Sequence, residues 1–187
     1  YYVSISNANR HADLHYLATV YNGLLVEEFS FNQTPNDYLL FFGRIHPDKG
    51  TAEAIQIAIQ SKRRLIIAGI VQDANYFKEK VEPYLNADIE FIGSAGPEKR
   101  NELLGKASAL LHPINFEEPF GLSVAEAMLC GTPVIAFNKG SMPELIKDKE
   151  TGFLVSDITT AVSAVEDLGQ INRLHCREWA SSQFSQE

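Results

Sequence analysis

Two stretches of the chain combine glycine, proline and charged residues in patterns that suit an anionic ligand. The first is Gly43-Arg44-Ile45-His46-Pro47-Asp48-Lys49-Gly50. Its terminal glycines let the backbone bend tightly. Arg44 offers a planar fork of donors and Lys49 a point charge, which together suit a diphosphate. A solvated loop with Arg44 paired to Asp48 would use the same residues. The second runs Asn115-Phe116-Glu117-Glu118-Pro119-Phe120-Gly121-Leu122-Ser123-Val124-Ala125-Glu126-Ala127-Met128. Pro119 and Gly121 stand where a loop meets a helix start. The free amides of Gly121 and Leu122 would point out of that N-terminus and form an anion site. Glu118 precedes the helix and Glu126 lies inside it, with seven residues between them. Glu118 can face a sugar or a reacting centre, and Glu126 can accept hydrogen bonds from ribose hydroxyls. A capping acid plus a solvated helix face would give the same pair. Against that, Glu126 stands among Val124, Ala125, Ala127 and Met128, and a buried carboxylate needs partners.

A third stretch, Asn138-Lys139-Gly140-Ser141-Met142-Pro143-Glu144, also precedes a helix start. Ser141 there reads as an N-cap, with Glu144 completing a capping box. His11 and His15 have a metal-compatible spacing on a weakly helical stretch, but no third ligand accompanies them, and no metal site is expected. His112 ends an apolar run near the same ligand edge; contact with substrate is one reading of it, and a hydrogen-bonded core histidine is the favoured one. No Gly-x-Gly-x-x-Gly follows a strand, which disfavours a nicotinamide cofactor. Neither a Walker-type loop nor a Gly-x-Ser-x-Gly elbow is present.

The elements that must position these residues are legible from about residue 37 onward. Apolar runs at 38–42, 65–68, 89–92, 109–111, 134–137 and 153–155 are mostly uninterrupted, as in strands covered on both faces. Helical patterns alternate with them. Ala52, Ile55 and Ile59 mark a face over 51–60, and Pro97 opens a helix over 98–106. A third helix covers 122–129 and stops at Gly131. Asp157 caps a fourth, with Ala161, Val162, Val165 and Leu168 on one face. Such alternation predicts an α/β fold, a Rossmann-like doubly wound parallel sheet with right-handed crossovers. Ligands then bind beyond the carboxyl ends of the strands. Residues 1–36 break this rhythm. They predict a strand at 2–6, a weak helix at 7–17, a short strand at 19–21 and a linker at 33–36.

The 187 residues allow one sizeable domain, and 45% hydrophobic with 21% charged residues is ordinary for a globular chain. A formal net charge of −8 argues against nucleic acid, which demands a dominant basic face. Cys130 and Cys176 have no paired-ligand spacing, so a reducing cytosol is the default. No apolar run reaches membrane-spanning length.

In order along the chain, these loops resemble the donor-binding domain of retaining glycosyltransferases of the GT-B fold, in the large group often called family 4. The likeness spans about residues 37–155. It rests on Gly43-Arg44-Ile45 to Lys49-Gly50, then Glu118-Pro119-Phe120-Gly121-Leu122 to Glu126-Ala127-Met128. Gly131-Thr132-Pro133-Val134, Gly140-Ser141-Met142-Pro143-Glu144 and Gly152-Phe153-Leu154-Val155 follow. Ser141 departs from it, since the family often has a second glycine there.

The resemblance implies that residues 37–187 bind a nucleotide sugar as the C-terminal half of a GT-B enzyme. Residues 1–36 would be a remnant of the acceptor domain and a linker. Arg44, Lys49, Gly121 and Leu122 would bind the donor diphosphate, and Phe120 and Glu126 the sugar and ribose. Glu118 would serve the reacting centre, and backbone near residues 92–95 would meet the base. Transfer would proceed with retention from a UDP-linked sugar, GDP being the next choice, with neither metal nor cofactor. The absent acceptor domain would be needed in cis or in trans. The chain is therefore expected to be a fragment or one subunit of a split enzyme, and a poor catalyst alone. A cytoplasmic location follows, with any membrane association peripheral and through that other domain. Two alternatives are a non-catalytic nucleotide-sugar-binding module and a sugar-nucleotide epimerase of the same fold. A phosphorylase would need a cofactor lysine, for which no specific candidate stands out.

Overall fold

The computed structural model describes residues 1–186. Two short strands, β1 (Tyr2–Ser4) and β2 (Tyr16–Thr19), pair in parallel as a separate sheet. Six more form the main sheet: β3 (Leu39–Phe42), β4 (Leu65–Ala68), β5 (Ile89–Phe91), β6 (Ala109–His112), β7 (Val134–Phe137) and β8 (Gly152–Val155). Their order is β5-β4-β3-β6-β7-β8, and every pairing is parallel. Leu39, Leu40, Leu65, Ile67, Leu110, Leu111 and Ile135 are buried almost completely. Each such side chain contributes roughly 1.5–3 kcal/mol relative to exposure. Burial on both faces explains why these strands do not alternate in sequence.

The helices are α1 (Thr51–Ser61), α2 (Ala74–Lys80), α3 (Pro97–Lys106), α4 (Leu122–Leu129), α5 (Met142–Leu145), α6 (Ile158–Glu166) and α7 (Arg173–Phe184). From β3 the chain winds outward through α1 to β4, and from β6 it winds the opposite way through α4 to β7. Right-handed crossovers in opposite directions put α1 and α4 on opposite faces. Accordingly α1 packs with α6, while α4 packs with α3 and α7. The winding reverses between β3 and β6, so the loops leaving those adjacent strands diverge and open a crevice. This is the Rossmann-like doubly wound sheet expected from the sequence.

Three local expectations need correction. Residues 7–17 are turns rather than a helix, and the second strand begins at Tyr16, not residue 19. Asn7 and His11 close i→i+3 turns through their carbonyls, and Ser6 Oγ accepts the Asn9 amide. Short polar side chains here outcompete helix formation for the backbone. In α1 the buried row is Ala54, Ile55 and Ala58, whereas Ile59 is 45% exposed. Thr51 and Ile57 are buried as well, so the helix is turned to leave Ile59 outside. Asp157 caps α6 as expected, accepting the Thr160 amide.

Candidate functional site

A cleft of about 430 Å³ opens at the carboxyl edge of the sheet, over the point where the winding reverses. Arg44, Lys49, Glu118, Phe120, Gly121, Leu122 and Glu126 all line it. Every side chain singled out in the sequence for a diphosphate or a sugar is thus brought to one place. Arg100 and His112 line it too, as do Ile5 and Asn22 from the N-terminal segment. Three Lys or Arg side chains face two carboxylates there, so the cleft is locally cationic within a chain of net charge −8.

The loop after β3 is stitched to the loop after β4. The Ile45 amide donates to the Ile70 carbonyl at 2.9 Å, and Ile45 is fully buried. This leaves Arg44 exposed at the rim, where Nη1 donates to Gln72 Oε1 at 2.8 Å. Asp48, the expected alternative partner of Arg44, instead contacts His46. The same loop joins the one after β6, because the Asn115 amide donates to the Asp48 carbonyl at 2.7 Å. Lys49 ends this turn with its ammonium paired to Glu118 and 4.7 Å from the centre of the Phe116 ring.

Gly121 is the N-cap of α4, with φ of 97°. That left-handed backbone suits glycine, and an added Cβ would lie 2.7 Å from Met142 Cε. No side chain caps the helix, so its first amides are open to an anion at the positive end of the helix dipole. Phe120 is 2% exposed, and its ring packs on Tyr21 and Phe184. The side chain therefore belongs to the scaffold. Leu122 is half exposed at the cleft wall.

The two acids differ in their surroundings. Glu126 is buried, and its Oε1 accepts from Arg100 Nη1 at 3.1 Å. Burial raises its pKa, and Arg100 opposes that shift. Arg100 itself lies over the Phe29 ring at 5.3 Å. Nothing in the sequence marks Arg100. Its helix opens at Pro97, but pairing across α3 and α4 is a tertiary fact. Glu118 carries Lys49 on one oxygen, with His112 Nε2 3.7 Å from that same atom. His112 is buried and neutral, its pKa pushed down to about 3 by desolvation and by the Lys49 charge. Among the described residues its Nε2 has no partner, so on that nitrogen it lacks the hydrogen bond the sequence suggested.

The third stretch buttresses the second. Gly140 has φ of 54°, and an added Cβ would fall 2.3 Å from the Glu118 nitrogen. The Ser141 amide donates to the Glu118 carbonyl at 2.9 Å, and Ser141 Oγ donates to the Phe120 carbonyl. Ser141 makes no side-chain cap, so the expected capping box is absent. Glu144 instead accepts from the amides of Asn7 and Ala8 and from the Tyr21 hydroxyl, fastening the N-terminal segment beside the cleft. Residues 92–95 follow β5 at the same sheet edge but do not line the cleft. His11 and His15 fall outside any helix. Among the described residues no group of three or more His, Cys, Asp or Glu is placed to hold a metal ion, and no helix is long and apolar enough to cross a membrane.

Comparison with known proteins agrees with this layout. Residues 26–173 match the family model described as glycosyl transferases group 1. A D-inositol 3-phosphate glycosyltransferase of Paenarthrobacter aurescens is 31% identical over 166 residues, covering 76% of this chain and 40% of that protein. The crystal structure of AviGT4, a glycosyltransferase involved in avilamycin A biosynthesis, superposes with a TM-score of 0.82 at 26% identity, over 98% of this chain and 58% of that one. Anabaena HepE, crystallised with UDP-glucose, shares the fold with a TM-score of 0.77 at 22% identity, over 98% of this chain and 59% of that one. The chain spans less than half the length of the curated relatives it matches. It belongs to the glycosyl transferases group 1 family.

Proposed function

We propose that the cleft holds the diphosphate and sugar of a nucleotide-sugar donor, and that residues 37–187 are the donor-binding half of a GT-B glycosyltransferase. Residues 1–36 then belong to an acceptor domain and its linker. The reading rests on one observation above all. Arg44 and Lys49 from the loop after β3, and the uncapped start of α4 with Glu118 and Glu126 from the segment after β6, converge where the winding reverses.

Arg44 meets the diphosphate with paired N–H donors, and Lys49 supplies a point charge. The open amides at Gly121 and Leu122 add fixed dipoles. Together they stabilise charge developing on the departing nucleoside diphosphate without a metal ion. Glu126, oriented by Arg100, accepts from the ribose hydroxyls. Glu118 stands on the sugar side, beside the anomeric centre, and the sugar passes to its acceptor with retention. UDP is the preferred nucleotide, in keeping with the UDP-glucose bound by HepE.

The test is calorimetric titration with UDP, GDP, ADP and UDP-glucose in the presence of a chelator, on the wild type and on Arg44→Ala and Glu126→Ala. Saturable binding of UDP and UDP-glucose, weakened at least several-fold by each substitution, is expected. A folded wild type that binds none of the four at millimolar concentration would sink the reading.

A further inference from the structure

The Lys49–Glu118 pair poses a difficulty for any ligand that needs the ammonium. Their side chains are 15% and 13% exposed. When an anion draws Lys49 away, a largely buried carboxylate loses the one cation paired with it among the described residues, and such a group is costly to leave unpartnered. The structure holds one unused polar atom in position to replace it. His112 Nε2 is buried, has no hydrogen-bond partner among the described residues, and lies 3.7 Å from Glu118 Oε2. That separation is too long for a hydrogen bond and short enough for a small rotation to close.

We propose that His112 is a positioning residue and the alternative partner of Glu118. As the donor diphosphate takes Lys49, the carboxylate passes from the ammonium to His112 Nε2–H. This rests on the donor-site reading above and adds to it an exchange of partners inside the cleft. The imidazole suits the task because it is neutral. Desolvation and Lys49 keep it uncharged at neutral pH, so it does not compete with Lys49 for Glu118 in the empty site. The adjacent carboxylate favours the tautomer that carries its proton on Nε2. Among the described residues, the charged groups that act on or touch this imidazole are Lys49, from the loop after β3, and Glu118, from the loop after β6; Arg44, Arg100 and Glu126 line the same cleft. The exchange keeps the Glu118 carboxylate partnered and fixed in direction while Lys49 is occupied elsewhere.

Two measurements test this. In the wild type, NMR of the histidine side chains, with His112 assigned by comparison with His112→Gln, is followed on adding UDP and, separately, inorganic pyrophosphate. Both probes should bring the Nε2 proton into slow exchange and shift it downfield. In parallel, UDP affinity is measured by calorimetry for His112→Phe, His112→Gln, Glu118→Gln and the two double variants. His112→Phe should weaken UDP about tenfold, the factor equivalent to about 1.4 kcal/mol. His112→Gln, whose amide nitrogen reaches a similar place, should recover most of it. In the Glu118→Gln background His112→Phe should cost little, since the carboxylate it serves is gone. Equal losses from His112→Phe in both backgrounds, or an unmoved His112 signal in a wild type that binds UDP, would overturn the exchange and leave the donor site standing. No UDP binding by a folded wild type would overturn the donor site, and the exchange with it.

Discussion

Replacing Gly140 with alanine tests how the cleft is held in shape. Gly140 lies in the loop after β7, with φ of 54°, and an added methyl would approach the Glu118 nitrogen to 2.3 Å and its oxygen to 2.5 Å. Those neighbours are backbone and cannot swing aside as a side-chain tip can. The left-handed conformation costs a non-glycine residue roughly 1–2 kcal/mol, and forcing extra volume into a packed site typically costs about 1–3 kcal/mol more. Relief requires the loop to lift from the segment after β6, which breaks the Ser141 amide bond to the Glu118 carbonyl and the Gly140 amide bond to Glu117. Each of those is worth about 1 kcal/mol. A total near 4 kcal/mol, at roughly 2–4 °C per kcal/mol for a domain of this size, lowers the melting temperature by about 10 °C. Because Glu118 moves with its backbone, UDP affinity should fall as well. Gly169→Ala is the control, since a methyl there meets nothing within 4 Å. Thermal melts followed by circular dichroism, with UDP titrations on the variants that stay folded, make the comparison. If Gly140→Ala melts with Gly169→Ala and binds UDP like the wild type, the buttress argument is wrong.

Glu126→Gln should separate stability from binding. A carboxyl whose folded pKa is raised contributes stability that is present below its unfolded value and lost as pH rises through the folded one, and burial raises that of Glu126. The amide should therefore melt at or above the wild type at pH 7 while binding UDP more weakly; a clear loss of stability at pH 7 would contradict the assignment. Arg173→Leu should act in the opposite way. Arg173 donates to the carbonyls of Asn32, Gly105 and Ala107 and to the Thr132 hydroxyl at the far edge of the sheet. Losing it strips buried acceptors of their donor and should cost on the order of 3 kcal/mol in denaturant melts, with UDP affinity at 25 °C unchanged; an unaltered denaturation midpoint would refute it. His112 adds an acid sensitivity. Its pKa falls from 6.5 to about 3 on folding, so the unfolded chain binds a proton that the folded one refuses. Stability is full above about pH 6.5 and declines as pH falls towards 3. His112→Gln should flatten the melting temperature between pH 7 and 4 relative to the wild type, and parallel curves would exclude His112 as the source.

The sheet was legible because its strands are buried on both faces and so written as unbroken apolar runs. All six lie within one residue of their expected bounds at both ends. The candidate site was legible for a related reason. Arg44, Lys49 and Glu118 sit in loops at the carboxyl ends of those strands, with Glu126 in the first turns of the helix that follows one of them, and strand order brings such loops together. Pairings across elements were not legible. Arg100 on α3 meets Glu126 on α4, and Lys49 meets Glu118 over 69 positions, neither of which leaves a periodic mark. Ser141 and Glu144 misled because their spacing matches a capping box. In the fold Ser141 is fully buried and bonded to Phe120, and Glu144 is claimed by Asn7, Ala8 and Tyr21. The long helix α7 was hidden by its composition. Arg173, Cys176, Ala180 and Phe184 are its buried residues, so an arginine occupies the first place in what would otherwise read as an apolar row at helical spacing.

The geometry also accounts for why the informative stretches occur in the order they do. Strands β3, β6 and β7 are neighbours in the sheet although β4 and β5 intervene in sequence. The loop after β3 supplies Lys49, the loop after β6 supplies Glu118, and the loop after β7 supplies the Gly140–Ser141 buttress. Glu118 is where the three meet. Lys49 holds its side chain, and Ser141 holds its carbonyl. Gly140 must lack a side chain because the Glu118 backbone passes so close. The loop after β4 does not line the cleft but braces the loop after β3, through backbone bonds at Ile45 and through Gln72 on Arg44, and the loop after β5, two strands from the reversal point, does not line the cleft either. Substitution at any of the three central positions is therefore felt at the same carboxylate, and their effects should be coupled rather than additive. A chain that kept the glutamate but lost the glycine or the lysine would keep the residue without the arrangement that aims it.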